Sequence, residues 1–363
     1  MKGAYVPAYD GLRFLLLLGV LQFHYLYRRA DIAHFWFLSY SLCCFFVLSG
    51  FLITHLLLAS EARPAARLPQ VLLGFYIRRG LRVFPAYYVV LAAAAATLGV
   101  PYLLWQIGYL LNIKLFLLSL EPIQVELNRY MASWETNGAH LWSMGVEEQF
   151  YLLYPPLLLL TPGRWRTLAL SLGIGGCIAI RVWLTLRFPL SFYGTLLPVP
   201  GEYVLWGCLM AWLEFRGQTG WLTAPAAFRL AGLGLLALFV LDHDVQRYLY
   251  AQWRPPLHQT AYAVLLAVWV LALKYQPRSW ICRLLSWPPV ARLGKISYGT
   301  YLVHLFLNPA LDRLLSLCPW LALFPQAPRA IAGPLLSLAV AGAMWISFEG
   351  RANQAKDRWA PQA

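Results

Sequence analysis

The chain has 363 residues, of which 60% are hydrophobic and only 12% charged, and its net charge is +14. Soluble domains carry about 25% charged residues, so a water-facing globular surface is excluded and most of the exterior is expected to face lipid. The positive charge does not mark a nucleic-acid binder, because Lys and Arg are spread between apolar runs instead of gathering on one soluble face.

In chain order, apolar segments place candidate membrane spans near 11–28, 38–59, 83–100, 103–120, 146–161, 167–185, 199–215, 229–242, 258–274, 296–318 and 330–348. The fourth is interrupted by Asn112 and Lys114 and preceded by Pro101, so it reads as re-entrant or interfacial. Ten spans remain. With the amino terminus in the cytosol, eighteen Lys and Arg residues fall on the cytosolic side and nine outside, the bias that the positive-inside rule demands. The predicted fold class is therefore all-α: a polytopic transmembrane helical bundle of about ten spans with both termini cytosolic. An integral membrane domain is expected over 1–349 and a short cytosolic tail over 350–363. The first span, entered after Lys2 and Arg13, reads as an uncleaved anchor. Cys43, Cys44, Cys177 and Cys208 lie inside apolar runs, where free Cys behaves as a small hydrophobe.

Polar groups inside a membrane are costly, so each is a functional candidate. The first span opens with Asp10-Gly11-Leu12-Arg13 and holds His24 deeper in. A separation of 11 residues puts Arg13 and His24 on one helical face, about 16 Å apart along the axis. An extended pantetheine arm has a comparable reach. The plainer readings are a snorkelling Arg13 paired to Asp10 at i,i+3, and a buried His24 that satisfies a neighbour.

Further along, Arg78, Arg79 and Arg82 sit at i,i+3 and i,i+4 spacings before Phe84-Pro85. Their crowding would be relieved by an anion with several charges, and the guanidinium fork suits phosphate. A basic cytosolic loop end is the plainer account. The segment His140-Leu141-Trp142-Ser143-Met144-Gly145-Val146-Glu147-Glu148-Gln149-Phe150-Tyr151 begins another span. Ser143 is placed to cap it, and Glu147 and Glu148 then fall in its first turns, where the helix dipole favours carboxylates. Ser297, Tyr301 and His304 follow i, i+4, i+7 on one stripe, apart from His24, and hydrogen bonding between helices explains them at least as well as catalysis. Phe45–Thr54 reads as a packing helix with a Ser-Gly irregularity. No CxxC, HExxH, glycine-rich phosphate loop or Gly-x-Ser-x-Gly elbow is present.

Together, Asp10–Arg13 with His24, Phe45–Thr54, Arg79-x-x-Arg82 with Phe84-Pro85, His140–Tyr151 and Gly294–His304 resemble, in this order, the acyltransferase 3 family of integral membrane O-acyltransferases. Glu349 resembles the family's closing acidic residue. The resemblance implies an enzyme of the cell (inner) membrane that uses cytosolic acyl-CoA, acetyl-CoA by analogy, and needs no metal. His24 would be the central catalytic residue, Arg13 its support, and Glu147 or Glu148 a required acid. Arg79 and Arg82, with Arg78 beside them, would hold the nucleotide phosphates, and Asp10, Ser297, Tyr301 and His304 would support the site. The acceptor would be a cell-surface or secreted carbohydrate (exopolysaccharide, O-antigen or lipid-linked sugar), with polysaccharide biosynthesis machinery as a partner. The chain looks like the stand-alone type without a fused esterase-like domain. Two departures stand out: Met144-Gly145 where Leu-Ser is expected, and Gly350 after Glu349 where a basic residue and proline are usual.

The chemistry fits these roles. An attacking hydroxyl must lose a proton, and neutral imidazole is the side chain suited to accept it near pH 7. Arg13, Tyr301 or a backbone amide would stabilise the oxyanion. A covalent acyl-histidine is a second route open to the same residues. Trp105, Tyr109, Tyr130, Trp134 and Trp253 are candidates for stacking on sugar rings, although interfacial belts explain them equally. The rival from another class is a secondary transporter or flippase for an anionic or lipid-linked sugar, which predicts broken segments paired between two related halves. No such internal symmetry is visible. A non-catalytic scaffold leaves the intramembrane His and Arg unexplained.

Overall fold

Every regular element among the described residues is helical. Helices suit lipid, because an α-helix pairs its own backbone groups where no water is present to satisfy them. The computed structural model describes residues 6–26, 40–63, 67–120, 137–188, 191–248, 256–317 and 327–359. The helices are α1 Pro7–Leu26, α2 Tyr40–Glu61, α3 Leu68–Leu98, α4 Leu103–Ile107, α5 Leu111–Ser119, α6 Trp142–Leu160, α7 Gly163–Arg187, α8 Pro198–Phe215, α9 Pro225–Tyr248, α10 Pro256–Lys274, α11 Trp280–Leu285, α12 Pro288–Lys295, α13 Ser297–Val303, α14 Asn308–Ser316, α15 Ala327–Met344 and α16 Gly350–Trp359. A 3-10 turn over Ala139–Leu141 precedes α6, and a π-helical turn over Trp345–Glu349 joins α15 to α16.

Among the described residues, five helical stretches are long and apolar enough to cross a membrane: Tyr40–Glu61, Leu68–Leu98, Gly163–Arg187, Tyr193–Phe215 and Pro328–Ala355. Pro225–Val240 and His258–Lys274 are shorter apolar helices. Large apolar side chains point outward: Leu153 and Leu157 on α6, Leu172 and Trp183 on α7, and Leu233 and Leu236 on α9 are all exposed. Such surface is a liability in water and the expected exterior in lipid. The chain is a multi-pass membrane protein.

Some segments differ from expectation, whereas 103–120 keeps its expected non-spanning character. The arginines expected at a loop end before residue 83 lie inside α3, which runs unbroken for 31 residues from Leu68, has Pro69 in its first turn and carries Pro85 within it. Pro is preorganised for a first helical turn, which moves the start upstream of the basic cluster. The segment 103–120 breaks into helices of 5 and 9 residues, too short to cross. Tyr109, between them, takes a left-handed backbone with φ of 56°. The expected span 296–318 is also broken: α13 ends at Val303, a turn follows, and α14 restarts with Pro309 in its first turn. Pro309 has no N–H to offer the preceding turn and disfavours helical backbone in the residue before it, which favours the break seen there. Residues 350–359, expected as tail, continue helically and lie against α3.

Two motifs meet because glycines let backbones touch. Gly11 lies so close to Leu285 that a Cβ would come within 1.9 Å of its carbonyl oxygen, and a Cβ on Gly294 would come within 1.9 Å of the Asp10 carbonyl. The start of α1 is thus wedged against α11 and α12, which brings Asp10 and Arg13 beside the Gly294–His304 segment. Elsewhere a buried ion pair ties the bundle: Arg181 on α7 meets Glu202 on α8 at 2.8 Å and Thr260 on α10 at 2.8 Å.

Candidate active site

Two adjoining cavities open between α1, α3, α6, α12, α13 and the π-helical turn. One, of about 120 Å³, is lined by Arg13, Ser49, Arg79, Arg82, Ser143, Glu147, Tyr151, Ser297, Tyr298 and Tyr301, with an apolar side from α2 that includes Phe45 and Phe46. The other, of about 260 Å³, is lined by Asp10, Arg13, Arg82, Gly294, Lys295, Tyr298, Trp345, Glu349 and Asn353. Arg13, Arg82 and Tyr298 belong to both and form the wall between them.

Each arginine is held differently. Arg13 donates to Asp10 Oδ1 at 2.8 Å, as the i,i+3 spacing predicts. The Arg79 guanidinium lies 3.7 Å over the Tyr151 ring, and 3.7 Å separates its Nη2 from Glu147 Oε2. Tyr151 in turn bonds Ser49, so the Ser-Gly irregularity of α2 braces the arginine's stacking partner. Arg79 Nε is buried and has no hydrogen-bond partner among the described residues. Arg82 is within electrostatic reach of both Arg13 and Arg79. Three cations around shared cavities, with an unsatisfied N–H among them, form a seat for an anion. Arg78 is not part of it. It lies a full turn before Arg82, its guanidinium runs back along α3 toward Gly74, and it lines neither cavity.

The acids divide as well. Glu147 lines the smaller cavity, whereas Glu148 lines neither and has a buried Oε1 without a hydrogen-bond partner among the described residues. Ser143 does not cap α6. It lies inside the first turn, where its Oγ donates to Tyr301 Oη at 2.5 Å, while Tyr301 Oη gives its own hydrogen to the His140 carbonyl. Gln149 explains the polar break in 103–120: its amide donates to the Tyr109 carbonyl and to Asn112 Oδ1, both at 2.9 Å, and locks α5 to α6. Glu349 is buried, lines the larger cavity, and sets its Oε2 where a Cβ on Gly299 would come within 2.7 Å. Gly350, the departure from the resemblance, donates its N–H to the Trp345 carbonyl and so completes the π-helical turn that presents Glu349.

The histidines form a separate cluster. His24 Nδ1 lies 2.8 Å from His304 Nε2, with the rings stacked at 4.9 Å. The His140 ring packs edge-on against His304 at 4.7 Å. His304 and His140 are fully enclosed, while His24 keeps part of its surface open. The expectation that His304 occupies a stripe apart from His24 is therefore corrected, because the break after Val303 swings it onto α1. Of the predicted stripe, Ser297 and Tyr301 line the smaller cavity and His304 does not. His24 lines neither cavity, although it shares α1 with Arg13. Tyr301 lies between the two groups: it lines the smaller cavity, donates to the His140 carbonyl at 2.6 Å, and has its ring 5.4 Å from that of His304.

Sequence reasoning did not single out His140 or Tyr298 as site residues. Both stand in segments that it recognised, and His140 heads the polar cluster. Tyr130, Trp134 and Trp253, candidates for sugar stacking, lie outside the described residues, and so do Lys2, Arg28, Arg29, Arg129 and Arg254 of the topology count. Among the described residues no group of three or more His, Cys, Asp or Glu is arranged to hold a metal ion.

The site thus lies in a membrane helical bundle, with Tyr301 adjoining both an arginine-lined cavity and a histidine cluster. The acyltransferase domain of the acyltransferase 3 family matches residues 6–348, and the chain belongs to that family. Over 329 residues it is 28% identical to the peptidoglycan O-acetyltransferase OatA of Listeria monocytogenes, covering 83% of this chain and 49% of that protein. Over 318 residues it is 27% identical to the O-acetyltransferase OatA of Staphylococcus aureus, covering 83% of this chain and 50% of that protein. The chain spans about half the length of these relatives. No solved structure matches it.

Proposed function

We propose that this chain is a membrane O-acyltransferase that moves an acyl group from cytosolic acyl-CoA to a hydroxyl of a cell-surface or secreted carbohydrate. The names of its relatives favour acetyl as the group and a cell-wall glycan as the acceptor. The single observation that carries the proposal is the pair of cavities walled by Arg13, Arg82 and Tyr298, with the unsatisfied Arg79 Nε facing the same region. Phosphates of the donor occupy this cationic seat, bound by charge-assisted hydrogen bonds from Arg79 and Arg82. Lys295 and Asn353 line the larger cavity. On the ten-span topology with both termini cytosolic they lie on the cytosolic side, where CoA is supplied. The domain of residues 1–349 sits in the cell (inner) membrane, alongside the machinery that makes the acceptor.

In the reaction, the acceptor hydroxyl oxygen attacks the thioester carbonyl carbon while a ring nitrogen of His24 takes the hydroxyl proton. The C–O bond forms, the C–S bond breaks, and the imidazolium returns its proton to the departing CoA sulfur. Tyr301 provides an O–H donor near the developing oxyanion, Arg13 adds positive charge to the donor seat, and Glu147 fixes Arg79. The test is acetyl transfer from acetyl-CoA to glycan fragments by purified protein. Wild type is expected to transfer and His24→Ala to fail at matched protein level, whereas full activity in His24→Ala would end the proposal.

A further inference from the structure

The hydrogen bonds around His304 assign every ring proton in the pair it makes with His24. His304 Nδ1 lies 2.6 Å from the Tyr301 carbonyl oxygen. A carbonyl can only accept, so Nδ1 carries the hydrogen. In a neutral imidazole the other nitrogen then holds a bare lone pair, and His304 Nε2 must accept. The group 2.8 Å from it is His24 Nδ1, so that nitrogen is the donor. His24 is thereby left as the Nδ1–H tautomer, with its lone pair on Nε2. His304 is wholly enclosed, so no water competes for its Nε2.

The anchor is local to the sequence. Tyr301 stands in the last turn of α13, where C-terminal carbonyls lack intrahelical partners, and a histidine just past that end is placed to cap one. The next residue of α1 holds the same point: Tyr25 Oη donates to the His304 carbonyl at 2.7 Å and pairs with Ser337 Oγ at 2.8 Å. His24 and Tyr25 thus grip the side chain and the backbone of one residue.

We propose that His304 is a positioning residue whose capped Nδ1–H and accepting Nε2 hold His24 as the tautomer whose lone pair lies on Nε2, the nitrogen that takes the acceptor's proton. The proposal rests on the reading of His24 as the proton-accepting group. During transfer the hydroxyl proton moves to His24 Nε2, and the Nδ1–H bond to His304 persists to steady the imidazolium until the proton passes to the CoA sulfur.

Two polar variants separate the halves of this role. His304→Asn places an amide where Nδ1 stood and keeps a donor for the Tyr301 carbonyl, but has no atom at the Nε2 position. His304→Gln reaches the Nε2 position with an oxygen that accepts from His24. Orientation of a general base carries much of its effect, typically about 10²–10⁴-fold in rate. The Asn variant is therefore expected to lose about 100-fold or more in kcat, with KM for acetyl-CoA within about threefold of wild type. The Gln variant is expected to stay within about tenfold of wild type in kcat. In a His24→Ala background His304→Asn should add no further loss, because the two residues act as a unit. The proposal is overturned if Asn and Gln lose activity equally, if both match wild type, if donor KM rises in step with the loss, or if both fail to reach the membrane, which would assign His304 to packing. A His24→Ala enzyme that remains active overturns the underlying reading as well. An inactive His24→Ala enzyme beside an unaffected His304→Asn enzyme overturns the tautomer role alone.

Discussion

Removing the guanidinium of Arg79 or Arg82 is the sharpest probe of the donor seat. Hydrogen bonds to charged groups contribute about 1.5–3 kcal/mol each, and 1.4 kcal/mol is about tenfold in affinity, so each Arg→Ala change should weaken CoA binding by roughly 10- to 100-fold. The two positions lie within electrostatic reach of each other, so their effects need not add. The double variant is expected to fall by about 100-fold or more. Arg79→Ala also removes the contact over Tyr151 and leaves Glu147 without its partner. Arg79→Lys therefore serves as the charge-keeping control and should recover only part of the loss, since ammonium lacks the planar fork. Arg78 supplies the internal comparison: its side chain runs toward Gly74 and away from both cavities. Arg78→Ala should change CoA affinity less than about threefold, as expected for a surface charge. Calorimetric titration of CoA into detergent-solubilised protein measures all five variants. Unchanged affinity in the double variant, or an equal loss in Arg78→Ala, refutes the assignment.

Topology is tested by cysteine labelling in intact cells: an impermeant thiol reagent should reach Trp134→Cys and should reach Lys295→Cys only after permeabilisation, and the reverse pattern would invert the orientation. His24→Ala should abolish acetyl transfer in a turnover assay while CoA binding stays within about threefold of wild type, because His24 lines neither cavity; a matching loss of CoA affinity would place it in the donor seat instead. Arg181→Ala should destabilise the bundle by about 3–5 kcal/mol, since it strands Glu202, which like Arg181 is 1% exposed. Thermal unfolding in detergent reads this, and a midpoint equal to that of wild type would show that the pair contributes nothing.

The helical class, the membrane setting and most segment boundaries were legible because apolar runs and their interruptions are local properties. The segment expected at 199–215 is helical over Pro198–Phe215, and that expected at 258–274 over Pro256–Lys274. What was not legible depends on how helices break and meet. Nothing local says that α3 begins as early as Leu68, although Pro69 is a start signal in retrospect. The stripe of Ser297, Tyr301 and His304 was derived for a continuous helix, and Pro309 ends that assumption only once its effect on the preceding turn is considered. Gly11 packs against Leu285 and Gly294 against Asp10, contacts between segments far apart in sequence, and these place Arg13 beside Tyr298. Asn112 weakened the fourth candidate span, but its partner Gln149 was visible only as part of a polar cluster.

The division of the polar residues into two groups bears on how a cytosolic donor could serve an acceptor outside. The cationic cavities carry Lys295, Asn353 and the three arginines, and the histidine cluster stands on the far side of Tyr301. Charge of this kind is tolerable near an aqueous boundary and costly deeper in. Neutral imidazoles paired to one another and to a backbone carbonyl carry no such penalty. On the proposed reaction the acyl group alone must pass Tyr301, while the nucleotide stays where its phosphates are neutralised. Ser143, the hydrogen-bond partner of Tyr301 Oη, lines the same smaller cavity. Tyr301 is then adjacent to both the donor carbonyl and the histidine that receives the proton, which accounts for a tyrosine being placed there in preference to a phenylalanine: packing needs only the ring, whereas a developing oxyanion needs the O–H.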